Sequence, residues 1–222
     1  MSSQTPTPPS RTAFVPGERL AGWIGRFEAS HGPAAAEQTD TALELTAEDG
    51  ASALLEAPWP EDGRPGTGTT TAERLAALAG QARTMGIVLL RRGGYAVGLA
   101  RGGELVASKA GRRRVQSRTA AGGWSQQRYA RRRANQADEL VEAAAGHAAA
   151  ILLPAAPEYL VLGGDRALCR ALLAEPKAAR LGTLPQLRFL DVPDPTAAVL
   201  RRAAADAAAV RITVTDAPGP AS

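Results

Sequence analysis

Residues 122–127 read Gly-Gly-Trp-Ser-Gln-Gln and sit in mid-chain, inside a strongly basic segment. The two glycines free the backbone to approach another surface closely. Glutamine is neither a base nor a nucleophile at neutral pH. Its amide both donates and accepts hydrogen bonds, so it can hold a water, and a nearby backbone N–H can stabilise an oxyanion. Either contribution counts only where a larger assembly fixes the geometry. The chemistry open to this tip is assisted attack by water, and both Gln126 and Gln127 are candidates for it. Trp124 offers a flat ring to stack on a base or wedge into a crevice, or an anchor against its own domain, and its type leaves both open.

The flanks say what such a tip faces. From 109 to 133 there are nine basic residues and no acidic one, although the whole chain holds 26 Lys and Arg against 22 Asp and Glu. The formal charge is only +4, so the rest of the chain is net negative. A positive field localised in this way draws an anionic partner to one place. Lys109, Arg112, Arg113, Arg114 and Arg118 precede the tip; Arg128, Arg131 and Arg132 follow it within about one helical turn of each other, with Arg133 toward the apolar side. These arginines suit phosphate contacts that position the loop better than they suit chemistry. At the start of a helix they also oppose its dipole, a cost that an anionic partner offsets.

Other reactive residues read as structural. His31 and His147 have no partner at metal-ligand spacing, and His147, late in an alanine-rich helix, is expected to pack or to cap. Cys169 is the only cysteine, which excludes an intrachain disulfide and a thiolate cluster, and its leucine-rich surroundings predict burial. Gly163-Gly164-Asp165 reads as a turn and helix cap rather than a phosphate cradle. Asp165, Asp191 and Asp194 follow turn logic, which disfavours a carboxylate-based nuclease. No metal or cofactor is expected. The first ten residues lack the apolar core of a secretory signal, and no apolar run approaches a membrane span. The expectation is a cytoplasmic monomer.

The elements that must position the tip follow from periodicity and turn residues. Residues 1–15 read as a disordered tail. A helix is predicted over 18–30, where Leu20, Trp23, Ile24 and Phe27 recur at helical steps, and two short strands over 41–55. Residues 58–70, rich in Pro and Gly, read as a linker or loop, and a short helix follows over 71–78. An apolar run at 85–90 opens a three-strand meander that continues at 95–100 and 104–108, with glycine-bearing turns between. A long helix is predicted from Ser125 or Gln126 to about 150, with Ser125 as a possible N-cap. Beyond it come a strand at 159–162, a helix from Asp165 to about 174, a strand at 187–190, a helix over 196–208 and an end strand at 211–215. The reading is an α/β domain over 71–216, preceded by a helix/strand region over 16–57.

Residues 122–131, Gly-Gly-Trp-Ser-Gln-Gln-Arg-Tyr-Ala-Arg, resemble the catalytic loop and following helix of the class 1 eukaryotic and archaeal release factors. More closely, they look like the actinobacterial Vms1-like release factors, relatives of the eukaryotic Vms1-type peptidyl-tRNA hydrolases. In the classical loop, Gly-Gly-Gln is followed by Ser and an Arg-Phe-Ala-Arg helix start. Aligned without gaps, Trp124 stands at the glutamine, Ser125 and Arg128 to Arg131 fall in step, and Tyr129 replaces the phenylalanine. The Vms1-like branch has a looser Gly-x-x-Gln form, which Gly123-Trp124-Ser125-Gln126 fits. The resemblance therefore implies an RNase H-like α/β catalytic domain, with Gln126, Gly122 and Gly123 as the catalytic positions and Gln127 as the second choice. It implies a peptidyl-tRNA hydrolase of ribosome quality control, acting on stalled or split large ribosomal subunits, with rRNA and peptidyl-tRNA as partners. The first 80 residues show no codon-reading domain, which points to release independent of a stop codon. The alternative is a non-catalytic protein that docks on the ribosome or on structured RNA through the same loop.

Overall fold

The computed structural model describes residues 9–38, 42–60, 62–112 and 124–217, and of 124–134 only the helical backbone. In chain order the elements are β1 (Ser10–Val15), α1 (Leu20–His31), β2 (Ala34–Gln38), β3 (Ala42–Ala47), β4 (Ser52–Glu56) and α2 (Thr71–Ala79). There follow β5 (Thr84–Arg91), β6 (Gly94–Arg101), β7 (Glu104–Arg112) and α3 (Trp124–Leu152). The last are β8 (Tyr159–Gly164), α4 (Arg166–Ala174), α5 (Ala197–Ala207) and β9 (Val210–Thr215). They form two units, Met1–Gln81 with Ala208–Ser222, and Ala82–Ala207.

The first unit is an antiparallel sheet of order β1-β9-β4-β3-β2. Strict alternation puts Leu43, Leu45 and Ala47, Ala53 and Leu55, and Val210, Ile212 and Val214 on one buried face. Leu20 and Phe27 of α1 and Leu75 and Ala79 of α2 join these residues in one core. The cap of α2 is reciprocal: Thr70 accepts from the Glu73 N–H and the Glu73 side chain returns to the Thr70 N–H. Between β4 and α2 the described residues hold no helix or strand and lie flush against α2. A β-carbon on Gly66 would come within 1.8 Å of the Arg74 carbonyl oxygen.

Two expectations change here. Residues 10–15 are a strand, not part of a disordered tail. Their polar sequence carries little strand pattern, and the order comes from main-chain pairing with β9, some two hundred residues away. The strand at the chain end, in turn, does not belong to the α/β sheet. It is the second strand of the first unit's sheet, paired antiparallel with both β1 and β4. The edge strand β2 carries no apolar alternation either and was not foreseen.

The second unit carries a mixed sheet of order β7-β6-β5-β8. β5, β6 and β7 are the expected antiparallel meander, whereas β8 runs parallel to β5. A parallel partner needs a long crossover, and α3 provides it. Parallel bridges from Leu160 to Gln186 and from Gly163 to Leu190 extend the sheet past β8, and the strand expected at 187–190 is reduced to them. Val88, Leu90, Val97, Leu160 and Leu162 pack with Leu140, Val141, Ala144, Ala148 and Leu152 of α3 and with Cys169 and Leu172 of α4. The alternate residues Met85, Ile87 and Leu89 are equally buried, and α5 covers that face with Leu200, Ala203 and Ala204. With helices on both faces, β5 reads as a continuous apolar run rather than an alternation. The unit is thus a helix–sheet–helix α/β fold. No described helix is long and apolar enough to cross a membrane.

Candidate nucleic-acid interface

β7 is antiparallel to β6, β6 to β5, and β8 parallel to β5. The C-terminal ends of β5, β7 and β8 therefore share one edge of the sheet. The turn between Arg91 and Gly94 lies on that edge, Arg112 pairs with Gly94 beside it, and the Asp165 N–H at the start of α4 donates to the Leu90 carbonyl at 2.7 Å. β7 ends on this edge at Arg112, and the next described element is α3.

The near root of the basic segment is tightly packed. Tyr95 lies across from Gly111, and a β-carbon on Gly111 would fall 2.5 Å from the Tyr95 ring. Only glycine leaves room for that ring, which also stacks on His147 at 5.7 Å between centroids. Burial raises the Tyr95 phenol above its ordinary range. Gly111→Ala is expected to destabilise the protein by about 1–3 kcal/mol, since the overpacked methyl has to displace an aromatic ring. Chemical denaturation of the two proteins measures it, and an unchanged midpoint would contradict the packing.

The far root is α3, 29 residues long. Its first described core residue is Leu140; Asn135, Asp138 and Glu139 are exposed. The stretch 124–139 spans about 24 Å of helix axis, at about 1.5 Å per residue. It carries positions 124–132 along its leading turns.

Residues 83–213 match the model of the family described as Actinobacteria/chloroflexi VLRF1 release factor, well over half of the chain. The chain belongs to the VLRF1 release-factor family. No curated protein matches it. The helix–sheet–helix unit is the RNase H-like α/β fold of this family, and the match extends past it to take in most of β9.

In this family member the expected site residues fall into three groups. Lys109 and Arg112 are exposed residues of β7, which runs four residues beyond its expected end, so they are strand rather than loop. Arg113, Arg114, Arg118, Gly122 and Gly123 lie outside the described residues. Trp124, Gln126, Gln127, Arg128, Arg131 and Arg132 belong to α3, which starts at Trp124, ahead of the expected cap at Ser125. The glutamines accordingly sit in the first turn of the helix, as its expected start at Ser125 or Gln126 implies. Position 126 stands five whole turns ahead of Ala144 and position 127 five turns ahead of Ala145, both core positions. Positions 128, 131 and 132 stand two turns ahead of the exposed Asn135, Asp138 and Glu139. The register thus sets positions 128, 131 and 132 apart from the line of position 126, whereas position 131 stands about one turn beyond position 127.

The remaining reactive groups are occupied structurally. His147 is half-buried against Tyr95, and His31, in the first unit, has Nδ1 2.8 Å from Asp49 Oδ2. The Asp165 carboxylate accepts from the Ala167 and Leu168 N–H groups and caps α4, and Asp191 pairs with Arg91 at 3.0 Å. Among the described residues no group of three or more His, Cys, Asp or Glu is placed to hold a metal. Cys169 is buried with Sγ 3.5 Å from the Gly163 carbonyl, and burial pushes its thiol up to about 11. A thiol held neutral and enclosed is a poor nucleophile. Iodoacetamide at about pH 8 is expected to leave Cys169 unmodified in the native protein and to alkylate it fully in denaturant; mass spectrometry reads the difference, and rapid native alkylation would contradict the burial. Sequence reasoning missed Arg92 and Arg166 on this edge, although the Arg91-Arg92-Gly93-Gly94 turn signalled a basic hairpin tip.

Proposed function

We propose that the protein is a peptidyl-tRNA hydrolase that frees nascent chains from tRNA on stalled or split large ribosomal subunits without reading a stop codon. Membership of a release-factor family carries this reading, and the place of Gln126 in the first turn of a long helix supports it. The reaction is hydrolysis of the ester between peptide and tRNA 3′ end. Water oxygen attacks the ester carbonyl carbon, the bond from that carbon to the ribose oxygen breaks, and a water proton ends on the ribose oxygen. Gln126 orients the attacking water through its amide, with Gln127 as the second choice; neither takes the proton. The peptidyl-transferase centre supplies most of the positioning. Gly122 and Gly123 let the backbone enter, and N–H groups in the first turn of α3, which have no intrahelical acceptor, are donors of the kind that stabilises an oxyanion. Lys109, Arg112, Arg113, Arg114, Arg118, Arg128, Arg131 and Arg132 bind rRNA or the tRNA acceptor end, and Trp124 stacks there. No cofactor enters the scheme, and the protein acts as a cytoplasmic monomer.

The test is addition of the purified protein to large subunits that carry peptidyl-tRNA and have neither mRNA nor small subunit. Free peptide and deacylated tRNA are expected to appear together. Stable binding without release would favour a non-catalytic RNA-docking protein instead.

A further inference from the structure

Positive charge on the second unit is not confined to residues 109–133. Arg92, at the turn between β5 and β6, is exposed. Its neighbour Arg91 is tied to Asp191 at 3.0 Å, which fixes the turn and engages that carboxylate. Arg166, the first residue of α4, is exposed and lies 4.0 Å from the centre of the Phe189 ring. That contact holds a cation at a helix start, where the dipole alone would disfavour it. The Asp165 carboxylate beside it is engaged by two backbone N–H groups. Asp194 stands exposed next to Gly93. Arg112 is exposed at the end of β7. From β7 to β8 is three strand spacings, about 14 Å, so the three guanidinium groups cross one end of the sheet. The opposite edge is different: Arg101 stands in register with Glu104, and Glu158 accepts from the Thr84 N–H.

We infer that Arg92 and Arg166 are phosphate-contacting residues which, with Arg112, extend the RNA interface from the basic segment across the end of the sheet. The inference rests on the reading of this protein as one that binds ribosomal RNA or tRNA. Exposed guanidinium groups that make no ion pair among the described residues suit the repeated charge of a phosphodiester backbone. Their alignment with the root of the catalytic loop gives them a positioning role. They set how the loop is presented and take no part in the attack on the ester.

Binding is measured against ionic strength with two separate probes, large subunits free of tRNA and deacylated tRNA. The proteins compared are wild type, Arg92→Glu, Arg92→Gln, Arg166→Glu, Arg112→Glu and Arg101→Glu. Arg92→Glu and Arg166→Glu are expected to weaken binding about tenfold at about 0.1 M salt, and Arg92→Gln to reduce the salt slope by about one. Arg101→Glu, an equal charge change at the far end of β6, should bind as wild type. The probe whose binding weakens identifies the source of the phosphates. If Arg92→Glu does not fold, Arg92→Gln carries the test through its salt slope. Wild-type binding of both probes by the Arg92 and Arg166 variants, with Arg112→Glu weakened, would overturn the extended edge and leave the RNA reading standing. Failure of the wild-type protein to bind either probe would overturn both.

Discussion

Replacing Gln126 by alanine is expected to lower peptide release about a hundred- to a thousandfold and to leave binding to large subunits within about twofold. The size follows from what a single positioned hydrogen-bonding group contributes when charge develops in a water-excluded site. Glutamine has no proton to give or take at neutral pH, so the loss appears in the chemical step, with no change in the pH profile. Binding survives because the basic residues remain, and those at 128, 131 and 132 stand on a different line of α3 from position 126. Gln127→Ala, one residue and about 100° further round the helix, is expected to cost only a few-fold. The reverse ranking would move the catalytic assignment by one residue. Equal activity of both variants with wild type would remove glutamine from the mechanism.

The largest effect on stability is expected at the end of the chain. Ile212 is fully buried in β9, between Ala13 of β1 and Leu55 of β4. Ile212→Asp places a carboxylate in that core with no partner, at a cost of about 4 kcal/mol or more. Because β9 is flanked on both sides, the sheet cannot shed it as a frayed edge without separating β1 from β4. The second unit has its own core and does not depend on Ile212. Limited proteolysis is expected to digest residues 1–81 of the variant rapidly while a fragment close to 82–207 survives. Uniform wild-type resistance would contradict the role of β9.

The elements that were legible in the sequence are those whose side chains carry the pattern. The run at 85–90 with its glycine turns predicts the meander, because a strand covered on both faces must be apolar throughout. Leu43 and Leu45 predict β3 by alternation, and Asp165 predicts the start of α4 through its capping chemistry. What stayed hidden depends on partners far away in the chain. Residues 10–15 and 34–38 gain their order from main-chain ladders, to which polar side chains are indifferent. The strand at 211–215 was visible as a strand, but its sheet was not, because pairing across two hundred residues leaves no local mark. At the site, the charge run and the Gly-x-x-Gln segment were plain. The start of α3 was legible to within a residue or two from Ser125, but the extension of β7 to Arg112 was not, since its arginine and glycine residues carry no strand pattern. Arg92 and Arg166 were invisible as a pair, because only the topology brings the ends of β5 and β8 to one edge.

The central claim is that position 126 acts in hydrolysis and the basic residues act in binding. It is tested most directly by measuring binding and release in the same mixture, with wild type and Gln126→Ala side by side on large subunits carrying labelled peptidyl-tRNA. Co-sedimentation of the two proteins is expected to be equal, with free peptide appearing only for wild type. Release by Gln126→Ala at the wild-type rate would contradict the account, as would a variant that fails to release because it no longer binds.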